Sequence, residues 1–167
     1  MPDIDLLLTG FTLGTNQGSI SLSTVTLIRG KNNILVDVGH FGRRQLLLER
    51  LEQQSLRPKD IDIVVITHAH WDHSQNVDLF PNAEFVIHPL EIEYTRHPRK
   101  SDFATARYFH KTLDGLNVRK IQGGTLLEPG IKTIDTPGHT QGHISVVVET
   151  SEGSVVIAAD ALSDMGA

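Results

Sequence analysis

Between Thr67 and His73 the chain reads THAHWDH, directly after the apolar run IDIVVI. Three histidines and one aspartate fall in the six residues from His68 to His73, where an overall usage of 9 histidines in 167 residues would place about 0.3 of a histidine. Such a concentration needs a chemical reason. Side chains alternate along an extended chain, so His68 and His70 are expected on one side, with Ala69 pointing away. Two imidazoles that close repel when both are protonated, but as neutral rings they are good ligands for zinc and similar cations. Asp72 and His73 follow where the chain is expected to turn toward a short helix at SQNVDLF. From there both could face the same cavity, or Asp72 could simply cap that helix.

Two ligands do not close a site. Zinc takes four donors, commonly three from protein and one from water where the site is catalytic. The best further candidate lies in DTPGHTQGH, residues 135–143: a strand ends, Pro137-Gly138 turns it, and His139 stands at the turn. Asp160 closes the run SVVIAAD, and an acid at the end of an apolar strand is costly to bury unless a cation compensates it. His40, His88, His97 and His110 sit in unpatterned contexts and read as surface or packing residues.

These residues need a frame. The 167 residues suit one domain, 39% hydrophobic and 21% charged, with a formal net charge of −5 that argues against a nucleic-acid surface. The one concentrated basic stretch, TRHPRK at 95–100, reads as a solvated face. With no cysteine, disulfides, thiolate ligands and thiol nucleophiles are excluded. The start MPDIDLLLTG has acids where a signal peptide needs positive charge, and no window reaches the length of a membrane span, so a cytoplasmic location is expected.

Most apolar runs are short, β-branched and closed by Gly, Asp or Asn, which predicts strands. STVTLIRG and NNILVDVG read as a hairpin about the turn at 30–33, and RRQLLLERLEQQ, residues 43–54, as an amphipathic helix. Strands are expected at Ile61–Ile66, AEFVIH, VRKI, TLL, IKTID, HISVVVET and SVVIAAD, and a short helix opens at Pro89. Residues Ser101–Leu113 read as a helix with Ser101 or Asp102 as N-cap. Strands on both sides of a helical middle suggest two sheets packed face to face with helices outside.

The set H-x-H-x-D-H at 68–73, PGHTQGH with His139, Asp160 in AADA and VDVG at 36–39 resembles, in order and spacing, the metallo-β-lactamase fold superfamily over nearly the whole chain. The resemblance implies an α/β fold, a four-layer αββα sandwich, with metals at the edge shared by the sheets. It implies that His68, His70 and His139 hold a first metal, that Asp72 and His73 help hold a second, and that Asp160 bridges the two. Asp37 would support the metal loops from behind, and His143 would have a structural role beside them. The cofactor expected is zinc, one or two ions per chain, with manganese or iron as alternatives. Such ions acidify water, and Asp72 would orient the hydroxide and then protonate the leaving group.

Within that family the stretch from Gln122 to Asp160 looks most like the acyl-homoserine-lactone lactonases, and PGHT-x-GH is shared with glyoxalase II-like thioesterases. The expected activity is hydrolysis of a lactone, thioester or other ester of a small-molecule substrate. The alternatives are an RNase Z-like phosphodiesterase or nuclease, and a non-catalytic metal-binding module. Those lactonases often carry a tyrosine three residues after the bridging acid, where this chain has Ser163. Phe41, Phe103, Tyr108 and Phe109 are candidates for an acyl pocket, with core packing the expected role for most. Family members also place one more histidine and a final helix beyond the bridging acid, and the sequence ends at Ala167. One domain, residues 1–167, lacking that C-terminal strand and helix is therefore expected, with an uncovered sheet edge through which copies could associate.

Overall fold

The computed structural model describes residues 1–162; Ser163 lies outside them. Strands β1 (Asp3–Leu8), β4 (Val25–Arg29), β5 (Asn33–Val36), β6 (Ile63–Val65), β7 (Glu84–Ile87) and β8 (Asn117–Lys120) form a six-stranded sheet in that order. The first three pair antiparallel and the remainder parallel. A second, antiparallel sheet runs β12 (Gly153–Ile157), β11 (Ile144–Thr150), β10 (Ile131–Asp135), β9 (Leu126–Glu128). Strands β2 (Phe11–Thr15) and β3 (Gly18–Leu22) make a separate hairpin.

The β-branched runs occupy the middle of the six-stranded sheet because both of its faces are covered. Leu35, Val64, Phe85 and Ile87 point to one side, where they meet Leu47 and Leu51 of helix α1 (Arg44–Gln53). Their alternates Ile34, Val36, Ile63, Val65 and Val86 point to the other side and pack on Ile131, Ile144, Val146 and Val148 of the second sheet. Helices, six-stranded sheet and four-stranded sheet thus stack as three successive layers, consistent with the expected sandwich. No helix among the described residues is long and apolar enough to cross a membrane. β12 is the edge of the second sheet, and its Val155 and Val156 are exposed.

Two local expectations need correction. Residues 101–108 are not helical; only α4 (Phe109–Thr112) and a 3-10 turn at Leu113–Gly115 remain of that helix. The cause is Asp102, whose Oδ1 accepts from the amides of Ala104 and Thr105, a local turn that competes with helical hydrogen bonds. The other concerns the aromatics: Phe109 is core, but Phe41, Phe103 and Tyr108 are exposed, Phe103 at 86%. Tyr108 still packs edge-on against Trp71, with ring centroids 5.3 Å apart.

Candidate metal centre

The parallel strands β5 and β6 run out side by side, and each ends in a loop that carries chemistry. After β5, Asp37 adopts a left-handed backbone at φ 61°, an uncommon state for a residue other than glycine. This turns its carboxylate back beneath the second loop. There Oδ1 accepts from the Thr67 amide at 2.8 Å, the Thr67 hydroxyl donates to the same carboxylate, and His73 Nδ1 lies 2.7 Å from Oδ2. Buried Asn76 completes the clamp by donating to the carbonyls of Val38, Gly39 and His40.

Past β6 the chain stays extended through His68 and His70, whose rings lie on the same side with centroids 4.5 Å apart. Ala69 points away into the helix-side core. The expected helix starts earlier than SQNVDLF: α2 is Trp71–Ser74, with His70 as its N-cap position and Asp72 in its first turn. Asp72 is therefore not the cap. His139 arrives from the turn after β10, and the second sheet is tied to this loop by the bond from the Ile144 amide to the Thr67 carbonyl, 3.1 Å. Asp160 sits on the 3-10 turn Ala159–Ala161 after β12.

The sequence-predicted residues converge. One ligand atom from each of His68, His70, His139 and Asp160 lies within 4.8 Å of the others. His139 Nε2 is 2.9 Å from His70 Nδ1 and 3.3 Å from Asp160 Oδ2, which is itself 3.8 Å from His68 Nε2. On the other side of the same acid, Oδ1 is 3.5 Å from His73 Nε2, and that nitrogen is 3.6 Å from Asp72 Oδ2. Asp160 thus presents one oxygen to each histidine group. His143 stands behind the cluster, its Nδ1 2.8 Å from Thr136 Oγ1 and its ring centroid 5.0 Å from that of His68.

A cation fits this donor set. His68 Nε2 and His73 Nε2 are buried with no hydrogen-bond partner, a costly state for ring nitrogens unless a ligand satisfies them. Burial, with the adjoining imidazoles of His73, His70, His143 and His139, holds His68 well below the ordinary histidine value, so the neutral ring keeps one nitrogen lone pair free for coordination. Burial likewise lowers His139 and takes His143 to about 4. His73 is opposite: burial disfavours its charge, but Asp37, Asp160 and Asp72 outweigh burial and raise it to about 10. Burial raises Asp72 above the usual carboxylate range. For Asp160 the opposing burial is overcome by His73 and His139, and its carboxyl is lowered.

Two acids at this centre, Glu91 buried and Asp102 half-buried, escaped the sequence reading as site residues. Glu91, in the first turn of α3 (Pro89–Arg96), is fully buried. It accepts from the Ala69 amide at 3.0 Å and the Gly142 amide at 2.8 Å, tying together the two histidine loops. In sequence it reads only as an acid that suits a helix N-terminus. Asp102, 3.3 Å from His70 Nε2, reads only as a cap. Its carboxyl is held below the ordinary range, burial being outweighed by hydrogen bonds from Tyr94 and Thr105.

The sequence pattern of the Metallo-beta-lactamase superfamily matches residues 20–165. Metallo-beta-lactamase domain-containing protein 1 of Xenopus laevis is 33% identical over 138 residues, 82% of this chain and 53% of that protein. An N-acyl homoserine lactonase from a Bacillus species is 28% identical over 169 residues, 95% of this chain and 65% of the lactonase. Among solved structures, a Thermotoga maritima protein described as a metallo-beta-lactamase superposes with a TM-score of 0.77 at 28% identity, over 93% of this chain and 76% of that one. The chain thus spans 53% and 65% of the two curated relatives named.

Proposed function

Because the chain belongs to the metallo-β-lactamase superfamily, we propose that it forms the metal-binding part of a hydrolase that opens a lactone, thioester or related ester. The observation that carries the reading is Asp160, whose two oxygens face two separate histidine groups. In this reading His68, His70 and His139 would hold one cation, Asp72 and His73 would hold another, and Asp160 would contribute to both. Zinc is the favoured ion on the imidazole-rich donor set, with manganese or iron the alternatives. When bound, such ions supply Lewis acidity, making water more acidic and polarising the ester carbonyl.

The chain's own groups do the rest. Asp72 offers Oδ2 toward His73 Nε2, and its other oxygen is left to take the proton of the attacking water. The water oxygen adds to the carbonyl carbon, the carbon–oxygen or carbon–sulfur bond of the ester breaks, and Asp72 returns the proton to the leaving atom. Asp37 holds the His73 ring so that Nε2 is the nitrogen turned toward Asp72 and Asp160. An acyl-homoserine lactone is the first substrate to try, since a lactonase of that class aligns along 95% of this chain.

The test pairs metal content with activity. Purified protein should carry about one to two equivalents of zinc, manganese or iron. It should hydrolyse at least one member of a lactone and thioester panel, and His70→Ala should abolish that activity. Protein that takes up none of the three metals would end the reading. A loaded protein that leaves the panel intact but cleaves a phosphodiester or single-stranded RNA would move the assignment to a phosphodiesterase.

A further inference from the structure

The imidazole of His70 has two ring nitrogens with different neighbours. Nδ1 faces His139 Nε2 at 2.9 Å, inside the ligand cluster, and Nε2 faces Asp102 Oδ2 at 3.3 Å, outside it. An ionised carboxylate can only accept, so the nitrogen turned toward Asp102 must be the one that carries hydrogen. In the neutral ring the other nitrogen is then bare and points at the cluster.

Asp102 is built to do this. Its Oδ2 also receives the Tyr94 hydroxyl and the Thr105 hydroxyl, each at 2.8 Å, while Oδ1 receives the amides of Ala104 and Thr105, both at 3.0 Å. The loop that carries it is laced to the histidine segment along its length. His70 and Thr105 form an isolated β-bridge, the Trp71 amide donates to the Ala104 carbonyl at 3.0 Å, and the Ala106 amide donates to the Ala69 carbonyl at 3.2 Å. Carboxylate and ring are thereby held in one fixed relation, with Tyr94 anchoring the acid from α3. An acid serving only its own turn would need neither Tyr94 nor a place against the ring.

We propose that Asp102 is a positioning residue for His70, holding the imidazole as its Nε2–H tautomer so that Nδ1 is the lone pair offered to a cation shared with His68 and His139. This deepens the functional reading above and rests on His70 being a ligand. Carboxylate partners of ligating histidines typically contribute about 10–100-fold in metal affinity, and their effect passes through the orientation and basicity of the ring.

The experiment uses Asp102→Asn in the full chain. The asparagine oxygen can still accept from Ala104 and Thr105, but its NH2 group brings two hydrogens and no acceptor to the place where Oδ2 received three donors. The hydroxyls can turn their hydrogens toward water, whereas the imidazole faces a donor at Nε2 and must give up its hydrogen there. Long-range 1H–15N correlation of the metal-free protein, recorded well above the imidazole titration range, should show His70 as the Nε2–H tautomer in the wild type. In Asp102→Asn it should show Nδ1–H. Zinc affinity by competition with a chromophoric chelator should fall about 10–100-fold, with the far-UV circular dichroism unchanged.

An unchanged tautomer and unchanged zinc affinity in Asp102→Asn would overturn the proposal. If that variant does not fold, Tyr94→Phe frees one anchor of the acid without touching the ring. It should lower zinc affinity in the same direction, and wild-type affinity there would equally overturn the proposal. His70→Ala separates the two layers: zinc bound as tightly as by the wild type would remove His70 from the ligand set. The tautomer in Asp102→Asn would still report on Asp102 alone.

Discussion

Asp37 and His73 are both 2% exposed and meet at 2.7 Å, Oδ2 to Nδ1, while the other ring nitrogen of His73 faces Asp160 and Asp72. The same carboxylate receives the amide and hydroxyl of Thr67, the residue before His68. One acid therefore holds parts of both histidine groups. Asp37→Ala should leave a buried imidazole and a buried amide without their acceptor, costing about 3–5 kcal/mol. Thermal unfolding of the metal-free variant measures that loss. Elemental analysis should show no more than about one metal ion per chain, the site around His73 being the one lost.

Removal of metal should itself destabilise the fold. The unpartnered buried Nε2 atoms of His68 and His73 offer a cation donors that the unfolded chain does not hold together. A cation at about a hundred times its dissociation constant adds about 2.7 kcal/mol to the folded state. For a chain of this size that corresponds to a rise of roughly 5–10 °C in Tm. Scanning calorimetry with a chelator, then with zinc restored, should show that fall and its recovery. Equal melting temperatures in the two states would count against a folded-state metal site.

Glu91 makes a sharper mechanical prediction at Gly142. A Cβ added there would stand 2.7 Å from the Glu91 amide nitrogen and 3.0 Å from its Cγ. Gly142→Ala must push α3 away from the His139 loop, breaking the contact that holds both loops together. A loss of about 1–3 kcal/mol is expected, together with weaker zinc binding. Gly14→Ala is the control, since nothing lies within 4 Å of its added Cβ; its stability should stay within about 0.5 kcal/mol of the wild type.

Glu128 should affect stability alone. It is buried on the second sheet and accepts from the amides of Lys31 and Asn32, at 2.8 and 3.1 Å, and from Asn32 Nδ2 at 2.8 Å. These bonds fasten the turn between β4 and β5 to the opposite sheet. Glu128→Ala should cost about 1–3 kcal/mol in denaturant unfolding while leaving zinc affinity at the wild-type level. Reduced zinc affinity in the folded variant would show that the two ends of the sandwich are coupled.

The strand reading succeeded where burial imposes a short period. Ile34–Val36 and Ile63–Val65 are covered on both faces, so their apolar runs are uninterrupted, while IKTID alternates because one face of β10 is open. The helix expected over 101–113 failed because a few hydrogen bonds accepted by Asp102 outweighed weak local preferences. The exposed Phe41, Phe103 and Tyr108 were equally beyond composition, since the type of a residue does not say whether another element covers it.

What the amino-acid order points to by itself is the candidate donor set. His68, His70, Asp72 and His73 are adjacent, and His139 and Asp160 each follow a strand end, so their types and spacing carry a signal that survives without coordinates. What tertiary structure decided is how those donors are aimed. It turned Nδ1 of His70 and Nε2 of His68 and His139 toward one another, split the oxygens of Asp160 between two groups, and set Glu91 and Asp102 behind them. Those supports act across 22 to 51 positions for Glu91 and 32 for Asp102. Periodicity records only which face a residue turns, and a contact between distant segments exists only once the sheets and helices have packed.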